Sequence, residues 1–281
     1  MAEHKHDPLD HVVDNTFIEI PWNSIPGLNR LGWHNLPLPR VELGPLSFQI
    51  TRFMVMELIV AALIASIIIP LARHVAKFPV TRGAFFNAFE AMVLFIRDGV
   101  ARPAIGGHDA DQYLPYLWTV FLFVLGCNLL GMIPGGASPT GNVNVTGVLA
   151  LATFGVVLFT GMRKMGPIGY WIGLVPRLDV PVWMKGPMFL LMFFIEVAGL
   201  LIRHVVLSVR LFANMLAGHI VLAVILGFIL EAGYYAQFVV TPASVAGVVA
   251  LSLLELFVAF LQAYIFTFLS ALFIGSAVHP H

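Results

Sequence analysis

The sequence predicts an all-α integral membrane protein. About five spanning helices are expected, the last two long and steeply tilted as an antiparallel hairpin, with an amphipathic helix at the membrane surface. Three observations carry this. Hydrophobic residues make up 59% of the 281, charged residues only 11%, and the mean hydropathy is +0.91. That balance is far from a soluble domain's. Apolar runs of spanning length follow Phe53, Leu114, Thr146, Pro187 and Pro242. In hydrocarbon a backbone must satisfy its own N–H and C=O groups, so such runs read as helices. Finally, Lys and Arg collect in alternate loops, as membrane topology requires.

Residues 1–52 are polar, with prolines at 8, 21, 26, 37, 39 and 45 and tryptophans at 22 and 33. They read as a mostly irregular extramembrane segment with interfacial aromatic anchors and a short helix at Asp7–Val13. No cleavable signal peptide is expected, because the first apolar stretch starts only near Phe53. Residues 53–71 form the first span and carry one acid, Glu57. Arg73, Lys77 and Arg82 then lead into residues 80–100. There Phe85, Phe86, Phe89, Met92, Val93 and Ile96 recur at helical spacing, and Glu90, Arg97 and Asp98 interrupt them. This predicts a helix lying at the interface rather than crossing.

The second span covers 114–133 and ends in a proline- and glycine-rich loop, Pro134–Gly141. Asn142–Thr146 opens a third span over 146–160, followed by a polar loop with four basic residues between 161 and 186. The stretch Pro187–Gly233 is then 47 residues with no internal proline or polar loop. As one helix it would extend roughly 70 Å, against ~30 Å of hydrocarbon. The stretch 242–277 is similar, at roughly 54 Å.

Basic residues favour single tilted helices. The 73–112 loop holds five Lys or Arg, whereas 134–145 and 233–241 hold none. Five spans therefore alternate correctly with the N-terminus outside and the C-terminus in the cytoplasm. Splitting the long stretch near Arg203–Arg210 would put two arginines in an outside loop that lacks any turn residue.

Several function classes drop out. The net charge is zero and no basic run suggests nucleic acid. One cysteine, Cys127, allows neither a disulfide framework nor a zinc site within the chain. His204 and His219 lack histidines on other spans for haem ligation. No nucleophile–base or HExxH-type motif suggests a hydrolase, and two arginines at spacing seven are no voltage sensor. No cofactor or metal is expected. The bland assignments are packing for Cys127, a capping or interhelix bond for Asn128, interfacial surface for Glu90 and Asp98, and water-reaching span ends for Glu57 and Glu231.

The functional signal lies at Leu207–Val221, LSVRLFANMLAGHIV. Arg210 sits there inside an apolar run. It cannot shed its proton, so burial costs several kcal/mol unless something compensates. Asn214 and Gly218 follow at spacings of four and eight, on the same helical face. Glu196, Arg203 and Arg210 also share a face, at intervals of seven.

If the last two helices pair about a turn near residues 236–237, residues whose numbers sum to about 473 lie at one depth. Arg210 then meets Gln262, and His219 meets Glu255. Glu196 falls on the cytoplasmic side, Arg210 near the middle, and His219 with Glu255 on the outer side. Titratable groups thus flank a group that cannot titrate, which is the layout of two proton paths separated by a positive barrier.

The stretches FLFVLGCNLLGMIPG (Phe121–Gly135), NVNVT (Asn142–Thr146), LSVRLFANMLAGHIV and LQAYIFTFL (Leu261–Leu269) closely resemble subunit a of the F-type rotary ATP synthases. The resemblance runs from about Phe53 to the end and is most specific around Arg210. It implies a non-catalytic, proton-conducting stator subunit whose long tilted helices curve against the ring of c subunits. Peripheral stalk b subunits and other subunits of the membrane sector would be its further partners.

By the same resemblance, the arginine matching Arg210 faces the ring carboxylate between two aqueous half-channels. Asn214 and Gln262 match polar neighbours of the arginine, and Glu196 matches the acid of the cytoplasmic half-channel. His219 and Glu255 match an acid–histidine pair on the uptake side. Their order is exchanged relative to several bacterial members, as in mitochondrial ones. The segment 1–52 matches no family motif. A bacterial inner membrane is the expected location, with the mitochondrial inner membrane as the alternative. The rival function is a secondary transporter with an intramembrane arginine site. The repeated halves and broken helices of that class are not found here.

Overall fold

A computed structural model describes residues 17–20, 34–43, 46–77, 83–107, 109–133, 138–175, 182–231 and 237–279. Within the N-terminal segment expected to be mostly irregular, the described residues include short strands. Strands β1 (Phe17–Ile20) and β2 (His34–Pro37) pair antiparallel, as do β3 (Arg40–Leu43) and β4 (Leu46–Gln49). FIEI and LSFQ do alternate apolar with polar, the period of a half-buried strand. The surrounding prolines hid runs of only four residues. The helix expected at Asp7–Val13 lies outside the described residues.

From Arg52 onward the described chain is helical: α1 (Arg52–Lys77), α2 (Ala84–Ile96), α3 (Arg102–Ile105), α4 (Ala110–Gly131), α5 (Val143–Met165), α6 (Pro167–Gly173), α7 (Val182–Glu231) and α8 (Gln237–Val278). Five of these, α1, α4, α5, α7 and α8, are long and apolar enough to cross a membrane. The 50 residues of α7 extend roughly 75 Å and the 42 of α8 roughly 63 Å. Both helices start five residues before the prolines that seemed to bound them. Pro187 and Pro242 lie in the second turn, where each removes one backbone bond near the helix end rather than in the middle of the span.

The chain forms two compact units. One comprises residues 1–72, 123–142 and 212–262, and the other 73–122, 143–211 and 263–281. In the first, Phe53, Val60, Val124, Cys127 and Ala259 are buried, and the described ends of α7 and α8 run antiparallel, with Ile225 beside Gly247.

In the second unit, α2 continues into α3 through one wide π-turn, Arg97–Ala101. That turn presents Arg97 to Asp111 in a two-pronged ion pair, Nε–Oδ1 2.8 Å and Nη2–Oδ2 3.0 Å. The carboxylate's hydrogen bond raises the arginine's pKa further. Lys164 binds Asp109 at 2.7 Å and Arg102 binds Asp98 at 2.7 Å. The end of α8 docks on α3. A side chain at Gly275 would run into the Ala104 carbonyl, and the His279 Nε2–H donates to Ile105 O at 3.1 Å.

Core side chains are unevenly distributed. Of the most apolar window of α4, 39% is buried, against 17% in α7 and 11% in α8. Leu190, Phe194, Ile202, Val249, Leu253 and Phe257 on the long helices are all exposed. Apolar surface on that scale needs cover from lipid or protein outside the chain.

Candidate functional site

Helix α7 is unbroken through its charged segment, as expected of a run with no turn residue. Its buried face carries Leu200, His204, Leu207, Ser208 and Leu211. Arg210 projects from the flank of that face and is half-buried, whereas Arg203 is exposed. Among the described residues Arg210 makes no hydrogen bond and no ion pair, in contrast to Arg97, Arg102 and Lys164. A guanidinium offers five N–H donors and cannot be neutralised.

One turn along α7, Asn214 Nδ2 donates to Gln262 Oε1 at 2.7 Å. Asn214 is exposed and Gln262 is 2% exposed. With its oxygen occupied, Gln262 keeps a buried Nε2 that has no partner. The depth count had set Gln262 opposite Arg210. The pairing found is displaced by one turn along the same face, which is the tolerance of matching helices by residue number.

Glu255 is half-buried and its carboxyl lies against Gly218. A Cβ built at Gly218 would overlap Glu255 Oε1 and stand 3.1 Å from its Cδ. The missing side chain at 218 thus makes room for the carboxyl against the α7 backbone. The numbers 218 and 255 sum to 473, so the depth count is met one residue before His219. Adjacent helical residues point about 100° apart, and a sum of residue numbers carries no such angle. His219 and Glu196 are both half-buried.

Two buried polar networks are present, of which only the interhelix bond of Asn128 was expected. In the first unit, Asn128 Nδ2 donates to the Ala259 carbonyl of α8 and Asn128 Oδ1 accepts from Thr140. In the second, Ser208 Oγ donates to Thr146 Oγ1 at 3.1 Å, tying α7 to α5, and Tyr116 donates to Thr153 at 3.0 Å, tying α4 to α5. Thr146, Thr153 and Thr160 stand at intervals of seven on the buried face of α5. That spacing was the signal available. His204 Nδ1–H donates to Leu200 O at 2.8 Å, between the rings of Phe154 and Phe273. Among the described residues no group of three His, Cys, Asp or Glu side chains could hold a metal ion.

Fold and site together define a helical integral membrane protein with a fixed cation and paired amides inside its apolar helices. The comparisons give the family. Residues 54–275 match the model described as ATP synthase A chain. The chain is 40% identical over 276 residues to ATP synthase subunit a of Chloroherpeton thalassium, covering 98% of this chain and 77% of that one. It is also 40% identical over 274 residues to ATP synthase subunit a of Myxococcus xanthus, covering 96% and 88%. The Anaeromyxobacter dehalogenans subunit a is 38% identical over 288 residues, covering 97% and 70%. The chain belongs to the ATP synthase A chain family, as the motif around Arg210 led one to expect.

Proposed function

We propose that the chain is the proton-conducting stator subunit of a rotary ATP synthase, carrying protons through two half-channels to and from a carboxylate on a ring of c subunits. The observation that supports this best is Arg210, a permanent, half-buried cation with no ion pair among the described residues. A buried charge without a partner is costly, and a carboxylate supplied by another chain removes that cost. Small residues at Ala213, Ala217 and Gly218 leave that face smooth enough for a ring to slide past.

In this reading Arg210 does two things. It lowers the pKa of an arriving ring carboxylate and so favours release of its proton. It also bars protons from leaking between the half-channels. Each elementary charge crossing the membrane yields about 2.3 kcal/mol per 100 mV, so a leak would dissipate what ATP synthesis needs. Glu196 serves the cytoplasmic path, and His219 with Glu255 the outer one. Residues 1–52 lie outside the bilayer, α2 rests at the interface, and α7 and α8 cross at a steep tilt. The b subunits of the peripheral stalk hold the chain against the ring.

Crosslinking tests the ring contact. Asn214→Cys in a Cys127→Ala background should crosslink in membranes to a cysteine near the acid of the ring helix, because position 214 is exposed on the isolated chain. No crosslink, with both chains present in the membrane, would mean that this face is not against a ring and would favour a secondary transporter. A second measurement tests the outer path. Removing His219 or Glu255 alone should slow proton uptake, whereas exchanging the two should restore much of it. A double exchange no better than the worse single variant would show that they do not act as one unit.

A further inference from the structure

The bonds that hold Gln262 in place begin on a buried turn far away in sequence. Ser138 and Thr140 belong to the 3-10 turn region around Pro139–Gly141. Thr140 Oγ1 donates its hydrogen to Asn128 Oδ1 at 2.8 Å, so the 3.1 Å contact with Ser138 must run from Ser138 to Thr140. Asn128 Nδ2 in turn donates to the Ala259 carbonyl at 3.3 Å. Asn128 and Thr140 are 0% exposed, Ser138 3% and Ala259 2%. The direction of every bond is fixed by chemistry: a carbonyl can only accept, so the amide of Asn128 has one orientation. Ala259 lies three residues before Gln262, whose oxygen accepts from Asn214.

We propose that Asn128, held by Thr140, is a positioning residue of the ion path, setting the axial register of α8 so that Gln262 meets Asn214 and Glu255 lies over Gly218. The proposal rests on the function proposed above. Helix contacts between small and aliphatic side chains are non-directional, and in lipid no hydrophobic force favours one register over its neighbour a turn away. A hydrogen bond to a backbone carbonyl is directional and has no water to compete with it there. The Ala259 oxygen can accept it on the lone pair left over from its own helical bond. Asn128 is thus a peg between α4 and α8, and Thr140 keeps the peg from turning.

The test uses the whole ATP synthase in membrane vesicles, with the chain's level in the membrane measured alongside ATP-driven proton pumping. Register is read from disulfide yield between Ile225→Cys and Gly247→Cys in a Cys127→Ala background. A Cβ at position 247 would lie 3.8 Å from Ile225 Cγ2. Asn128→Ala and Thr140→Val should each lower pumping about tenfold or more and disulfide yield at least about twofold, with Thr140→Ser restoring both. Arg210→Lys in the same vesicles tests the underlying function. Normal pumping by Asn128→Ala and Thr140→Val while Arg210→Lys is inactive would overturn the positioning role alone. Active Arg210→Lys vesicles would overturn the function itself. Lost pumping with an unchanged disulfide yield, or loss of the Thr140→Val chain from the membrane, would also overturn the positioning role.

Discussion

Arg210→Lys is expected to lower ATP-driven proton pumping by about 100-fold or more, equivalent to at least about 2.7 kcal/mol. The nominal charge is kept, which makes the substitution informative. Lysine differs in two ways that matter at a half-buried site. Its ammonium is a point charge on a flexible stem, without the planar fork that can hold a carboxylate while neighbouring amides hold it too. It also deprotonates when desolvated, and a neutral lysine is no barrier to protons. The guanidinium cannot fail in that way.

Nothing else among the described residues stands in for it, since Arg203 on the same face is exposed. The measurement is acidification of inverted vesicles on ATP addition, with the passive leak recorded after the catalytic subunits are stripped and the ring is left in the membrane. The expected pattern is lost pumping together with a raised leak. Pumping above about a quarter of the unsubstituted rate would mean that charge alone suffices, and the barrier argument would fall.

What could be read from the sequence divides along physical lines. The five long helices were legible because hydrocarbon allows a spanning backbone few other forms. Their ends were less so. Pro187 and Pro242 look like borders in the sequence, yet the helices begin at Val182 and Gln237, one turn and more before them. Depth along α7 and α8 was legible to about a turn, because rise per residue is constant. Azimuth was not, because a residue number carries no angle: the carboxyl of Glu255 rests on the backbone at Gly218, one residue before His219.

For Asn128 an interhelix bond was legible, but its partner was not. Its partner is a backbone carbonyl 131 residues away, and a carbonyl leaves no mark in the sequence. The threonines of α5 were readable in principle, because Thr146, Thr153 and Thr160 repeat at the interval of a helix seam. In the N-terminal part, prolines outweighed the alternation of four-residue strands.

Gly218→Val is expected to lower pumping by about tenfold or more, equivalent to at least about 1.4 kcal/mol, without removing the chain from the membrane. The reason is local. Any Cβ at 218 occupies the space of Glu255 Oε1 and comes within 3.1 Å of Cδ and 3.3 Å of Cγ, so the whole carboxyl must move. Valine adds two further methyl groups pointing into the gap between α7 and α8, and being branched it cannot rotate all of them away. The acid would swing toward the exposed Val221 or Leu254 side chains, away from the level at which His219 lies.

Alanine makes a milder demand that a shorter acid can meet. Gly218→Ala alone should impair pumping less than valine does, and Gly218→Ala with Glu255→Asp should recover part of the loss. The aspartate withdraws its carboxyl by one methylene, about the depth a methyl group takes. This recovery separates a lost proton site from a disturbed fold, because Glu255→Asp by itself should be harmful. If the pair is no better than the worse single change, Gly218 serves packing rather than the seat of Glu255, and the outer path must run along another face of α7.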